Sequence, residues 1–460
     1  MHNAARSVRS FAVVFGIIAC SVAGSGCRRF EREGIKEAKA ESVGPLDDSA
    51  RAEKIASLRA KGPSGLKEAL VEYDALAAKP GTSEKELGRA RELVDGVAGQ
   101  RDAWASRLFW YTDLEQAKAA SVASGKPILS LRMLGDLREE LSCANSRLFR
   151  MALYSNTAVQ KALSEGFVLH WSSERAVPQI TVDYGDGRVV KRTITGNSIH
   201  YVLDAKGRPV DGIPGLYGPG AFVKAIARVH ELARSTGKLD DGSYRKVVTA
   251  YHEGESKRLL TEWRAELETT GVPAATAKSA FLPRPATALF MGGPPALFVG
   301  EMTIGKAAIE RPLIHALQPQ LELDGMPFGA EPWLAIAELH SADAQLDEAS
   351  RAFVTTQHPR DWTTAAPQPL DETGIRYRIN EFEKGMRLET VRNEYALHGA
   401  IHAWFQSVSG MKDKDRGFEG LNTWVYQSVF LTPKQDPWLG LAQIDVLSGL
   451  RDDGLTIAEK

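Results

Sequence analysis

The run Ile128-Leu129-Ser130-Leu131 constrains the fold more than any other stretch of this 460-residue chain. It is short and apolar, and an amphipathic pattern over residues 113–124 leads into it through the breaker Gly125-Lys126-Pro127. A helix feeding a short buried strand is half of a βαβ unit, which requires a sheet covered by helices. A second strand candidate follows at Gly166-Phe167-Val168-Leu169-His170-Trp171. Between the two, Ser142-Cys143-Ala144-Asn145-Ser146-Arg147 opens a helical run that continues through Leu148-Phe149-Arg150-Met151. Residues 180–195 read as a hairpin turning at Gly185-Asp186-Gly187, and Ile199-His200-Tyr201-Val202-Leu203 as a strand before the turn Asp204-Ala205-Lys206-Gly207. After Gly218-Pro219-Gly220, apolar Phe222, Ile226, Val229 and Leu232 at helical spacing close the unit.

Residues 104–235 resemble the thioredoxin-like family. The features that carry the likeness are Lys126-Pro127 before the apolar strand, a cysteine where a helix opens, Ser155-Asn156-Thr157-Ala158-Val159, Phe167-Val168 and the Asp204 to Gly207 turn. The resemblance implies an α/β thioredoxin-like domain, a mixed central sheet flanked by helices, with Cys143 in the nucleophile position. Two family features are replaced: Ser146 stands where the resolving cysteine would be, and Ser198 where a cis-proline shapes the substrate groove. A cysteine at a helix amino end has its thiolate stabilised by free amides and the helix dipole. With serine at position 146, Cys143 could form a mixed disulfide with a protein thiol or glutathione, but nothing internal could release it. The implied chemistry is monothiol exchange or thiol trapping. The alternative is a buried Cys143, inert as a small hydrophobe, in a binding or scaffold module that reuses the fold.

The first thirty residues bear on compartment. Arg6 and Arg9 precede Phe11-Ala12-Val13-Val14-Phe15-Gly16-Ile17-Ile18-Ala19, a basic segment and an apolar run too short for a mature bilayer-spanning helix. Its end resembles a bacterial lipoprotein signal twice, at Ile17-Ile18-Ala19-Cys20 and at Gly24-Ser25-Gly26-Cys27. Cys27 is the expected lipid anchor and Cys20 the alternative; a cleaved secretory peptide or a retained anchor helix are the other readings. Processing at Cys27 leaves Cys143 as the only thiol of the mature chain. The expected setting is the bacterial cell envelope, facing the periplasm or the exterior, with the lipid bilayer, envelope proteins or small thiols as partners. The formal charge of −1 provides no field for nucleic acid, and no nucleic-acid motif is present.

The composition, 43% hydrophobic and 25% charged, suits two or three globular domains. Residues 28–50 read as a solvated tether and 51–103 as a helical hairpin, with the thioredoxin-like domain over 104–237 and a mostly helical domain over 238–460. In that last part a long helix runs over 244–267, its exposed face carrying Glu253, Glu255, Lys257 and Arg258. A loop-rich crossing follows, then helical runs at 304–317, 330–340, 346–354, 381–408 and 421–430.

Glu394, His398 and His402 are spaced by four, which puts all three on one helix face within reach of one ion. Two imidazoles supply only part of a tetrahedral zinc shell, and the pattern is not the His-Glu-x-x-His motif. The expectation is therefore hydrogen-bonded histidines at a helix surface, with no tightly held metal and no cofactor; metal-dependent activity in the helical domain is the lesser alternative. Asp436-Pro437-Trp438-Leu439-Gly440-Leu441 reads as a staple of the chain end, and Trp424, Tyr426, Phe430 and Trp438 as core aromatics. Gly185-Asp186-Gly187 and Gly292-Gly293 are turns rather than phosphate cradles.

Overall fold

A computed structural model describes residues 48–193, 196–271, 330–361, 367–407, 410, 415–430 and 432–435. The signal-like segment, the tether up to residue 47, the helical run at 304–317 and the staple at 436–441 lie outside the described residues, and the last three tether residues, 48–50, open the first helix.

The chain is mixed α/β, with a small sheet and many helices. The described residues open with three helices, α1 (Asp48–Ala60), α2 (Pro63–Ala77) and α3 (Glu84–Ala98). Both sequence breaks act as turns. Pro63 sits in the first turn of α2 after Gly62 at φ 64, while Ser83 and Glu86 close a reciprocal capping box on α3. Leu58, Leu66, Leu70, Tyr73, Val94 and Val97 form the core of this bundle. A short helical turn, α4 (Ala103–Ser106), links it to α5 (Leu114–Ser124), which Asp113 caps at the start and Gly125 ends in the left-handed conformation.

Strand β1 (Ile128–Leu134) is longer than the apolar run that signalled it. Helix α6 (Ala144–Leu148) follows, widens into a π turn over Phe149–Tyr154, and leads to α7 (Thr157–Gly166) and β2 (Val168–Arg175). The hairpin β3 (Gln179–Asp183) and β4 (Val189–Thr193) pairs apart from the main sheet and turns where expected. Strands β5 (Ile199–Leu203) and β6 (Pro209–Pro214) complete a four-stranded sheet of order β2-β1-β5-β6. Strand β1 is parallel to β2, with Ile128 opposite Val168; β5 is antiparallel to β1, and β6 to β5. Every residue of β5 and β6 is buried, as expected of strands covered on both faces.

Helices α8 (Pro219–Thr236) and α9 (Asp241–Thr270) follow the sheet. The later helices are α10 (Ala330–Leu339), α11 (Glu348–Thr356), α12 (Glu372–Arg392), α13 (Gly399–Ser407) and α14 (Phe418–Trp424). The helix expected over 381–408 starts earlier because Asp371 caps it, its side chain accepting the Gly374 amide. A π turn over Asn393–His398 joins α12 to α13, and a second, over Val425–Val429, extends α14. The apolar core does not stop at residue 237: Ile401, Trp404, Leu421 and Val425 belong to the same buried cluster as Ile128, Leu131 and Val202. A smaller cluster joins Leu259 and Trp263 of α9 to Trp333 and Tyr395. Among the described residues, no helix is long and apolar enough to cross a membrane.

The loop after β6 is where the helical half seats. Asn393 donates to the Leu216 carbonyl at 2.8 Å, and the Gly218 amide donates to Thr390 Oγ1 at 2.7 Å. Gly215 has φ 72, and a Cβ there would lie 2.6 Å from Asn393 Nδ2; Gly81 has φ 82 but open space around it. Gly81→Ala should therefore cost only the left-handed strain, about 1 kcal/mol. Gly215→Ala should cost at least about 1 kcal/mol more, because the Asn393 bond must also give way. Urea denaturation of the two variants checks the difference; equal losses would show that the loop does not seat the helices.

Candidate functional site

Cys143 is the N-cap of α6, directly beyond the loop that leaves β1. Its Sγ lies 3.0 Å from Ser198 Oγ, 3.4 Å from Ser146 Oγ and 3.5 Å from the Ser146 amide nitrogen. The three residues singled out in the sequence therefore meet. The Ser146 hydroxyl donates to the carbonyl of Cys143 at 2.8 Å, which leaves Ser198 as the hydroxyl free to donate to sulfur. All three residues are 0% exposed, so no bulky reagent reaches the sulfur in this conformation.

The cover comes from the far end of the chain. Asn197 donates to the Phe430 carbonyl at 3.2 Å and to Thr432 Oγ1 at 3.0 Å, and the Tyr426 hydroxyl donates to the Asn197 carbonyl at 3.4 Å. Tyr426 and Phe430 are buried, as expected of core aromatics; Trp424 is half-buried, and Trp438 lies outside the described residues. Helix α14 is tied to the sheet by Asn422, which accepts from Tyr201 of β5 and donates to Glu174 of β2. Below the sulfur, buried Arg150 holds the loop ahead of Cys143, donating to the carbonyls of Leu137 and Glu139 and to Ser142 Oγ. Its Nε is 3.3 Å from Asp102.

The second constellation is buried between the sheet and the helices. Asp211 of β6 places Oδ1 2.9 Å from His398 Nε2, and Glu394 Oε2 lies 3.0 Å from His398 Nδ1. Asp211 Oδ1 also accepts the Gly212 amide, and the Tyr251 hydroxyl donates to Oδ2 at 3.2 Å. Glu394 accepts from Arg228 at 2.6 Å, Arg258 at 2.8 Å and Tyr217 at 3.1 Å. Glu255 joins through Arg258 at 2.8 Å and Arg228 at 3.5 Å. Burial opposes the charged form of His398, but the flanking Asp211 and Glu394 carboxylates outweigh it and push its pKa up to about 9. Burial likewise works against the Asp211 and Glu394 carboxylates, yet the His398 charge holds both below the usual carboxylate range. Three carboxylates (Asp211, Glu394, Glu255) thus balance three cations (Arg228, Arg258, His398).

Beside this clamp stand two imidazoles kept neutral. Burial pulls the His252 pKa down to about 4, and burial and then the neighbouring His398 charge hold His402 well below its ordinary value. His252 Nε2 donates to the Val210 carbonyl at 2.9 Å, and its Nδ1 lies 2.7 Å from His402 Nδ1. His252 also stacks on Phe405 at 3.9 Å. His402 Nδ1 is 4.0 Å from Asp211 Oδ1, and Asp211, His398 and His402 each offer a ligand atom within 4.8 Å of the others.

Three expectations are corrected here. His398 and His402 do not lie at a helix surface; they are 1% and 0% exposed, because the π turn and α13 press that face onto β6. Glu394 is not the third member of the trio, since it bonds the outer nitrogen of His398, and Asp211 takes that place. Glu255 and Arg258 turn inward as half-buried partners of Arg228 and Glu394, whereas Glu253 and Lys257 do face solvent. Sequence reasoning passed over Asp211 and His252. The available signal was Asp211 itself, a carboxylate inside the apolar run Pro209-Val210-Asp211-Gly212-Ile213.

A cavity of about 320 Å³ opens elsewhere, where Tyr244 and Val248 of α9 face Trp404, Phe405 and Phe418. The thiol corner yields the sharper expectation. Arg150→Met should cost about 3–5 kcal/mol, the range for breaking a buried ion pair, and should open Cys143 to alkylation by freeing the loop over residues 136–142. Chemical denaturation and thiol labelling check both; a large loss of stability with Cys143 still protected would show that Arg150 does not govern the corner. A comparison with known protein families finds no model that matches this chain, and neither the curated proteins nor the solved structures contain a significant match.

Proposed function

We propose that the protein is an exported, lipid-anchored bacterial envelope protein whose sheet unit is a thioredoxin-like module that binds a partner protein without exchanging thiols. The burial of Cys143 carries this reading: exchange needs in-line approach of a thiolate to a disulfide sulfur, and Sγ is closed in by Ser146, Ser198 and the segment around Tyr426. The thioredoxin-like part is supported by the strand order β2-β1-β5-β6 with one parallel and two antiparallel pairings. It is supported further by a thiol capping the helix after β1, and by Ser198 meeting that thiol from the residue ahead of β5. Export and anchoring rest on the basic and apolar start of the chain and on the two lipobox-like cysteines, with Cys27 the proposed site and Cys20 its alternative. Diacylation plus an amino-terminal acyl chain provides the multiple chains that stable anchoring requires.

Monothiol exchange or trapping through Cys143 is the second reading. One observation favours it: the sulfur sits at a helix amino end and accepts the Ser146 amide, the position from which a thiolate nucleophile acts. That chemistry requires the cover over residues 197 and 198 to lift.

Alkylation of the native protein near neutral pH separates the two. The expected result is a protected thiol that reacts fully once the chain is denatured, with no acceleration of insulin reduction by dithiothreitol. Rapid labelling of the native state would reverse the order of the two readings. For the anchor, the mature protein should partition into the detergent phase and Cys27→Ser into the aqueous phase. Partitioning unchanged by either Cys27→Ser or Cys20→Ser would end the lipoprotein reading.

A further inference from the structure

The arginines and carboxylates of the buried cluster account for one another, but not for the pair His252 and His402. The Val210 carbonyl can only accept, so His252 Nε2 carries the hydrogen and the Nδ1 of the neutral ring presents a lone pair. That lone pair faces His402 Nδ1 at 2.7 Å, in a site closed to water. Close by are two further donors, Asp211 Oδ1 and His398 Nε2. Four donors thus arrive from four segments: β6, α9, the π turn and α13. The geometry points to a structural divalent-metal site, of the kind that takes zinc, formed by Asp211, His252, His398 and His402.

Distances decide whether such an ion fits. Zinc–nitrogen bonds of about 2.0–2.1 Å set tetrahedral neighbours about 3.3 Å apart. Asp211 Oδ1 lies 2.9 Å from His398 Nε2 and 4.0 Å from His402 Nδ1, separations that bracket that value, and one ligand atom from each of these three residues lies within 4.8 Å of the others. His252 stands outside that trio, 2.7 Å from His402 Nδ1, and must swing inward to complete the shell. The outer contacts are those that ligands use to fix their orientation. Glu394 bonds His398 Nδ1, the Val210 carbonyl bonds His252 Nε2, and Tyr251 bonds Asp211 Oδ2. Imidazole and carboxylate without thiolate suit zinc and its neighbours rather than copper(I). Binding exchanges one cation for another: His398 gives the proton between its Nε2 and Asp211 to solvent and becomes a neutral ligand. With all four residues at 0–1% exposure, there is no open position for a substrate, and the ion would act as a cross-link.

The test uses the full chain, expressed without a histidine tag and purified without chelator. Elemental analysis should find about one equivalent of zinc or a related metal per chain. Chelation should lower Tm, added zinc should restore it, and cobalt(II) loaded into the stripped protein should absorb in the visible as a four-coordinate ion. His402→Gln and Asp211→Asn should each lose metal, while Glu394→Gln, which leaves all four ligands in place, should weaken binding about 10–100-fold. Protein that arrives metal-free, and that neither takes up zinc or cobalt nor gains Tm from them, would overturn the site and leave a proton-bridged cluster. Metal that persists in the double variant His398→Gln, His402→Gln would overturn it equally, by placing the ion elsewhere. The wild-type measurements stand whether or not a variant folds.

Discussion

The contact between Asp211 and His398 is the constraint on which the rest of the fold hangs. A carboxylate in the middle of a fully buried strand is costly unless a cation meets it, and breaking such a buried pair typically costs about 3–5 kcal/mol. The cation comes from a helix 187 residues later in the chain. Sheet and helical half are thus not two bodies that merely touch. Strand β6 cannot be buried without the helices, and the helix over 372–407 cannot bury its polar face without β6.

Meeting that requirement shapes the elements around it. The π turn over Asn393–His398 adds a residue to one turn and re-aims the face of the helix, so His398 meets β6 while Asn393 and Glu394 reach Leu216 and Tyr217 in the loop after it. Arg228 and Arg258 come from α8 and α9 to neutralise Glu394, tying these two helices to the π turn in one layer over β6. The same layer continues into α14, whose extension covers Cys143. One set of helices therefore both neutralises the strand and shields the thiol.

What the sequence made legible was local. The breaker Gly125-Lys126-Pro127, the apolar run after it and the Asp204 to Gly207 turn marked the sheet unit, because caps and periodicity act over a few residues. The meeting of Cys143, Ser146 and Ser198 was also legible, although their burial was not, since the cover comes from residues 426–432. Asp211 and His252 were missed for the same physical reason: the imidazole that each meets, His398 or His402, lies 150 or more residues away. Glu255 and Arg258 misled because a charged helix face looks solvated until another helix supplies the opposite charges. Helix starts erred where a capping aspartate, Asp371, lay ahead of the apolar pattern.

The cover over Cys143 carries a consequence for the order in which the protein matures. The groups that close the corner of the thiol, Phe430 and Thr432, lie far beyond it in the sequence and are made long after it. A chain made amino end first therefore holds Cys143 uncovered until that far segment has been made and folded back onto it. A serine at position 146 leaves that nascent thiol no neighbour with which to close a wrong disulfide. Serine at position 146 thus spares the unfinished chain a local disulfide before its cover is in place.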